Sequence, residues 1–433
     1  MNKQNSCCFI KGEITMEEFD RDLVATIQNL KADPDVIKAL TLVKEQLPEM
    51  IELQKELALI EAPSFQEKKK AERYAELLKE AGLEDVSIDD HFNVLGRISG
   101  IGHTGKSVLL EGHLDTVFSF GDVKGVTVDE QGRIHCPGIC DDTRALVANL
   151  SVLKALNSVG IRPYHDIIIA GTVCEEGLGG MLGMRTVLDS LEKKTEILAS
   201  ISIDGATNDR FYANATGMVD WSVTFTGPGG HAWTAFGIPS ALHAACRAAT
   251  LVADIELPTN PKTITTVSLI EGGQAIHGIA QKCTFKINAR SDSQEALEEL
   301  NRRMVQAFEL GAKLENERWG KTDVIKVTYE KLLNIPAGNQ DDNCRIIQAA
   351  KLVTEAIGIQ PTSMPGGSTN ANIAIGKGIP AVCFGRGGEE YGQHTLDEWF
   401  NPEGVEACEQ KSILMLLTLA GLDERINPLG ETL

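Results

Sequence analysis

The sequence predicts an α/β protein in two parts: a mostly parallel sheet flanked by helices, and a smaller α+β unit inserted into it. Three observations carry this. Short runs rich in Ile, Val and Leu, at Ser107–Leu110, Asp166–Val173, Ile197–Ile203 and Ala381–Phe384, alternate with helical periodicity, as strands covered on both faces do. Polar residues follow the first three runs at once, where the carboxyl ends of strands would lie. Between residues 217 and 332 the order becomes β-α-β-β-α-β, the split βαβ or ferredoxin-like arrangement.

Taken in chain order, Met16–Leu59 reads as helical, with Val36, Leu40, Val43 and Leu47 at helical spacing. Ser64 with Glu67 fits a capping box, and Pro63 and Gly82 bracket a helix carrying Ala71, Tyr74, Leu77 and Leu78. An amphipathic helix from Asp142 to Val159 places Leu146, Leu150, Leu153 and Leu156 on one side and ends at Gly160. In the insert, Met218–Thr226 alternates as a strand and Pro239–Ile255 reads as a helix. Two strands (Thr263–Ile270, Gln281–Arg290), a helix (Ser293–Lys313) and a strand (Val324–Tyr329) complete it. The expected division is 1–216 with 333–433 as one α/β domain, and 217–332 as the insert.

Composition narrows the function. The 433 residues are 42% hydrophobic and 24% charged, enough for a large core. Lys plus Arg is 41 against 61 for Asp plus Glu, a net charge of −20 that repels nucleic acid and anionic membranes, so neither is expected as a partner. Aromatic residues, at 5%, are too few for a base-stacking platform. No stretch approaches the ~20 apolar residues of a membrane span. The ten cysteines are scattered singly apart from Cys7 and Cys8, and the apolar run Cys8–Ile10 is broken by Lys11 and Glu13. Free thiols in a reducing compartment are therefore expected, with the cytoplasm as the location.

The chemistry gathers behind the strands. Leu110 leads into Glu111-Gly112-His113-Leu114-Asp115, Val173 into Cys174-Glu175-Glu176-Gly177, and Ile203 into Asp204-Gly205. Open α/β sheets bind ligands beyond the carboxyl ends of their strands, so these residues are expected to share one rim. Asp141-Asp142 adds two carboxylates in a tight turn before a helix, and Gly392-Gln393-His394 adds a late histidine. Without a cation such carboxylates would repel one another and take up protons. Imidazole and carboxylate are the donors expected for zinc or a similar ion, and two ions bridged by one carboxylate would neutralise most of the cluster. Cys140 and Cys174, beside these residues, read as small apolar filler, and Asp142 as the cap of the following helix.

These strings resemble the two-zinc metallopeptidases of the peptidase T, aminoacylase and glutamate carboxypeptidase superfamily, on its peptidase T-like branch. The resemblance spans nearly the whole chain in order: His113-Leu-Asp115-Thr, Gly138-Ile-Cys-Asp141-Asp142, Glu175-Glu176-Gly177, Asp204-Gly205, Gly227-Pro-Gly-Gly-His231, Glu271-Gly-Gly, Gly366-Gly-Ser-Thr-Asn-Ala-Asn372 and His394. It implies a zinc-exopeptidase-like catalytic domain with an inserted ferredoxin-like lid and dimerisation domain. It also implies two divalent ions, zinc first, with cobalt or manganese as substitutes. His113 and Asp204 would hold one ion, Glu176 and His394 the other, with Asp141 bridging beside a cis peptide to Asp142. Asp115 would accept the far ring N–H of His113. Glu175 would be the general base, taking a proton from a metal-bridged water and passing it to the leaving amine. His231 would stabilise the oxyanion, in cis or across a homodimer. Arg290 would clamp a substrate carboxylate, with His277 and Arg386 as further contacts.

The implied activity is hydrolysis of an amide bond in a small peptide. Hydrolysis of N-acyl or N-carbamoyl amino acids is the alternative within the same chemistry, and a non-catalytic peptide- or metabolite-binding protein is the alternative of another class. Three departures from the family pattern stand out: Thr143-Arg144 where many relatives carry Lys-Gly, His277 where an asparagine is usual, and Asn370 where an aspartate is common.

Overall fold

The computed structural model describes residues 20–205 and 207–433. The first helical segment is three helices, Arg21–Ala32, Pro34–Glu45 and Leu47–Ala58. The first break has a local cause: Asp33 takes the N–H groups of Asp35 and Val36 on its carboxylate at 2.9 and 3.2 Å, and Pro34 is preset for a first helical turn. The part of the expected helix before Asp20, and Cys7 and Cys8, lie outside the described residues.

An eight-stranded sheet forms the larger part. Its order is Glu84–Ile88, Val94–Ile98, Asp166–Thr172, Lys106–His113, Glu196–Ile203, Ala381–Phe384, Arg210–Tyr212, Thr362–Met364. From Asp166–Thr172 to Ala381–Phe384 the four central strands run parallel. Alternate residues feed two cores: Val108 and Leu110 face one, Leu109 faces the other. This burial on both faces is why these strands read as unbroken apolar runs.

Two local expectations fail. The helix after the Pro63 loop starts at Lys68, and Ser64 and Glu67 form no capping box. Their side chains are used across the fold: Ser64 Oγ donates to Asp115 at 2.7 Å, and Glu67 accepts the Cys174 N–H at 3.0 Å. The helix Thr143–Val159 is buried on nearly every side, wedged between the sheet and the helices Pro34–Glu45, Leu47–Ala58 and Glu406–Ala420. Its polar positions are therefore core positions. Arg144 pairs with Glu409 of the last of those helices, each about 1% exposed.

The insert has its own core. Gly217–Thr226, Thr263–Gly272, Lys282–Ser291 and Lys326–Ile335 form an antiparallel sheet in the order second, third, first, fourth. Val219, Trp221, Val223 and Phe225 pack with residues of the helices Ala241–Ala253 and Gln294–Arg318. The second helix runs past the expected Lys313, and the last strand past Tyr329. Ile335 stands opposite Met218, so the chain enters and leaves the insert side by side. A Cβ on Gly217 would lie 2.5 Å from the Ala337 nitrogen, so only glycine permits this approach. One amide ties both passages: Asn372 Nδ2 donates to the carbonyls of Thr216 at 3.0 Å and Pro336 at 3.1 Å. Among the described residues no helix is long and apolar enough to cross a membrane.

Candidate metal centre

His113 ends its strand, Glu175 and Glu176 follow the neighbouring strand by three and four residues, and Asp204 follows Ile203 directly. The rim is therefore set by the parallel order of three adjacent strands. Gly112 makes it compact: a Cβ there would meet Ala145 Cβ at 2.7 Å and Asp142 Oδ2 at 3.0 Å, so glycine lets the Asp142 turn approach the strand. The Asp141–Asp142 peptide is cis. Asp142 stands at the helix N-cap without a side-chain capping bond. Its Oδ2 instead accepts the His113 N–H at 2.9 Å.

Donor atoms converge in overlapping groups. His113, Asp141, Asp142 and Asp204 offer ligand atoms within 4.8 Å of one another, as do His113, Glu175 and Glu176, and Asp141, Glu176 and His394. Asp141 faces two ways: Oδ1 lies 3.1 Å from His113 Nε2, and Oδ2 lies 3.2 Å from His394 Nε2. His394 Nε2 is also 2.9 Å from Glu176 Oε1. Imidazole nitrogens and carboxylate oxygens at these separations suit divalent ions of the zinc type, so the donor set fits two of them.

Asp115 departs from its expected contact. The His113 Nδ1 partner is the Asp115 main-chain carbonyl at 3.0 Å, while the carboxylate stays 3.5 Å away. That carboxylate accepts the N–H groups of Glu175 and Glu176, each at 3.0 Å. The Glu175 carboxylate accepts no hydrogen bond among the described residues, and it is 8% exposed. Just before it, Cys174 has a φ of 53°, uncommon for a residue with a side chain, and this turn re-aims the chain into the rim. His394 shares that feature at 62°.

The electrostatics follow from crowding. Burial, with Asp141 alongside, pushes the Asp204 carboxyl up to about 7, and burial drives Glu175 well above the ordinary range. Hydrogen bonds to Asp141 and Glu176 raise His394 to about 10. Burial works against charge on His113 too, yet Asp142, Asp115 and Asp141 lift it well above its usual value. These are the responses of acids packed together with too little positive charge.

Three supports were not legible in advance. Glu398 accepts the N–H groups of Gly138 and Cys140 at 2.8 Å each and of Asp141 at 3.4 Å, fixing the turn that carries Asp141. Buried Lys70 donates to Thr143 at 3.1 Å, behind the same turn. Asn370 donates to buried Glu111 and to Thr172, both at 2.8 Å; an aspartate there would set two carboxylates face to face. A lone acid, amide or lysine carries no spacing signal, and only the fold brings these to the rim.

Arg386 follows the fourth parallel strand and is 1% exposed, turned into the carboxylates. Its Nη1 lies 2.7 Å from Asp141, 3.2 Å from Asp204 and 3.3 Å from Asp142. His231 and His277 come together elsewhere, on the two-stranded ribbon Gly230–His231 and Gly278–Ile279 of the insert, where Ala232 N–H donates to the His277 carbonyl at 2.8 Å. Arg290 lies exposed on the insert sheet, donating to Asn288 at 3.1 Å. Among the described residues, no hydrogen bond or ion pair joins these three to the rim.

A mostly parallel sheet that presents donors for two cations at its carboxyl rim, with an α+β unit inserted, defines the class of metal-dependent hydrolases. The chain belongs to the peptidase family M20/M25/M40, which it matches over residues 109–417. Carboxypeptidase G2 of Pseudomonas sp. (strain RS-16) is 30% identical over 144 residues, 33% of this chain and 34% of that protein. The chain thus matches about a third of the length of the first curated relatives. A tripeptidase structure from Staphylococcus aureus superposes with a TM-score of 0.71 at 22% identity, over 86% of this chain and 97% of that one. The Bacillus subtilis YxeP protein, a dinuclear metal binding peptidase, gives 0.64 at 14% identity, over 86% and 98%. Both likenesses are of fold.

Proposed function

We propose that the protein hydrolyses an amide bond in small peptides, as a di- or tripeptidase or in a carboxypeptidase-like manner. The observation that carries this reading is Asp141 set between two donor groups, with the unbonded Glu175 carboxylate beside them. His113 with Asp204, and Glu176 with His394, would hold two divalent ions, zinc first, with Asp141 between them. When bound, the ions neutralise the carboxylates, polarise the scissile carbonyl and acidify water. Glu175 then takes the proton from the attacking water and delivers it to the leaving amine. Asp115 keeps Glu175 and Glu176 in register by holding both main-chain N–H groups, so one glutamate serves an ion and its neighbour the proton.

The insert, 217–332, acts in this reading as a lid and as the contact surface of a homodimer. His231 meets the developing oxyanion, in cis or from the other subunit, and Arg290 and His277 meet the substrate. The eight free cysteines among the described residues support a reducing compartment, the cytoplasm.

The test is Glu175→Gln, assayed on dipeptides, tripeptides, N-acyl and N-carbamoyl amino acids. Metal content should persist while turnover falls by about 10²–10⁴ or more. Turnover near wild type sinks the assignment of the base. Preference for acyl or carbamoyl substrates moves the reading to an amidohydrolase. Wild-type protein that binds no zinc, cobalt or manganese and cleaves nothing favours a binding protein.

A further inference from the structure

Arg386 places a permanent positive charge inside one of the two donor groups. Its Nη1 contacts Asp141 Oδ1, Asp204 Oδ1 and Asp142 Oδ1 at 2.7, 3.2 and 3.3 Å, the carboxylates that stand with His113. In the other group it reaches only the shared Asp141, through Oδ1: among the described residues no guanidinium nitrogen bonds to Glu176 or His394. A guanidinium cannot lose its charge by deprotonation under ordinary conditions, so an ion entering the His113 position must share these carboxylates with a cation or displace it.

A place to go is built alongside. Arg386 Nη2 already lies 3.4 Å from Glu390 Oε1. Each member of that pair also keeps one buried polar atom without a partner, Arg386 Nε and Glu390 Oε2. A small rotation of the guanidinium would let it meet Glu390 with two parallel bonds, the preferred geometry of arginine and carboxylate. The main chain need not move, since Arg386 N–H stays tied to the Gly205 carbonyl at 2.8 Å.

We propose that Arg386 stands in for one of the two divalent ions: it neutralises the His113–Asp141–Asp204 position until an ion enters, then transfers to Glu390. The two ion positions are therefore unequal, the Glu176–His394 position filling first. This rests on the two-ion reading above and adds an order of loading to it.

The test is Mn²⁺ titration of the full chain, followed by calorimetry and by electron paramagnetic resonance, where a spin-coupled pair is distinct from a single ion. Wild type is expected to bind one ion tightly and a second roughly 10–100-fold more weakly, with coupling appearing only at the second step. Arg386→Met should tighten the second step by roughly tenfold or more. Glu390→Gln should weaken that step further, because the guanidinium loses its receiving partner; it also serves if Arg386→Met does not fold. Two ions of equal affinity in wild type would overturn the stand-in while leaving the two-ion reading intact. A folded Arg386→Met with an unchanged or weaker second step would do the same. Binding of no Mn²⁺ at all would overturn both.

Discussion

The carboxylate of Asp115 grips Glu175 by its main chain, accepting the Glu175 N–H at 3.0 Å. It accepts the Glu176 N–H at the same distance, so one acid orients both glutamates. Asp115→Asn keeps the shape but turns an N–H₂ toward a donor. Turnover should fall roughly 10–100-fold, and ion affinity should weaken in the same range. Steady-state kinetics with metal analysis checks this, and near-normal values for both would remove Asp115 from the role.

Glu398 supports the turn that carries Asp141 through three main-chain N–H groups. Glu398→Ala strands them in a buried setting, at a cost of about 2–4 kcal/mol. Glu398→Gln keeps one acceptor oxygen and should recover much of that loss. Urea denaturation of the metal-free forms measures both, and the ranking wild type, Gln, Ala is the expected result.

Arg144 and Glu409 form a buried pair. Glu409→Gln leaves an uncompensated guanidinium, so unfolding free energy should drop by about 3–5 kcal/mol. Replacing both, as Arg144→Met with Glu409→Leu, should cost far less. A double mutant as damaged as the single one would show that packing, and not charge, dominates there.

Stability and pH are linked through the rim. Asp204 and Glu398 are both raised to about 7 by burial, above their unfolded values of roughly 4. Acids raised in the fold favour it fully below the unfolded value, and that favour is lost as pH climbs through about 7. His394, raised to about 10, has the same sign over a higher window, from its unfolded value of about 6.5 upward. Lys70, lowered to about 8, works in the opposite direction only above that pH. The melting temperature of metal-free protein should therefore fall between about pH 5 and 7.5, and saturating Zn²⁺ should flatten the slope. A metal-free melting temperature that rises over that range would contradict the picture.

Most of the sheet was legible because its central strands are buried on both faces and so spell uninterrupted apolar runs. The insert was legible because Val219, Trp221, Val223 and Phe225 alternate with polar, half-buried positions. The rim residues were readable by their place after those strands. What escaped was set by distant contacts. Ser64 and Glu67 have a cap's spacing, yet Asp115 and Cys174, far along the chain, bid for their side chains. The helix after Asp142 looked one-sided because Arg144, Asn149 and Ser151 are polar, and nothing local says that other helices will enclose them. Arg386 sits four residues before Glu390 in a glycine-rich loop, a spacing equally suited to a solvated pair.

The fastening of the insert has a mechanical consequence. Two chain passages, paired through the Ala215 and Gly338 main chains and clasped by the Asn372 amide, form one axle in place of two independent tethers. Rotation about that axle leaves the clasp intact, whereas twisting the passages apart breaks it. The stiff direction and the free direction of the smaller body are thus decided where its two passages pair, and by a side chain lying outside it.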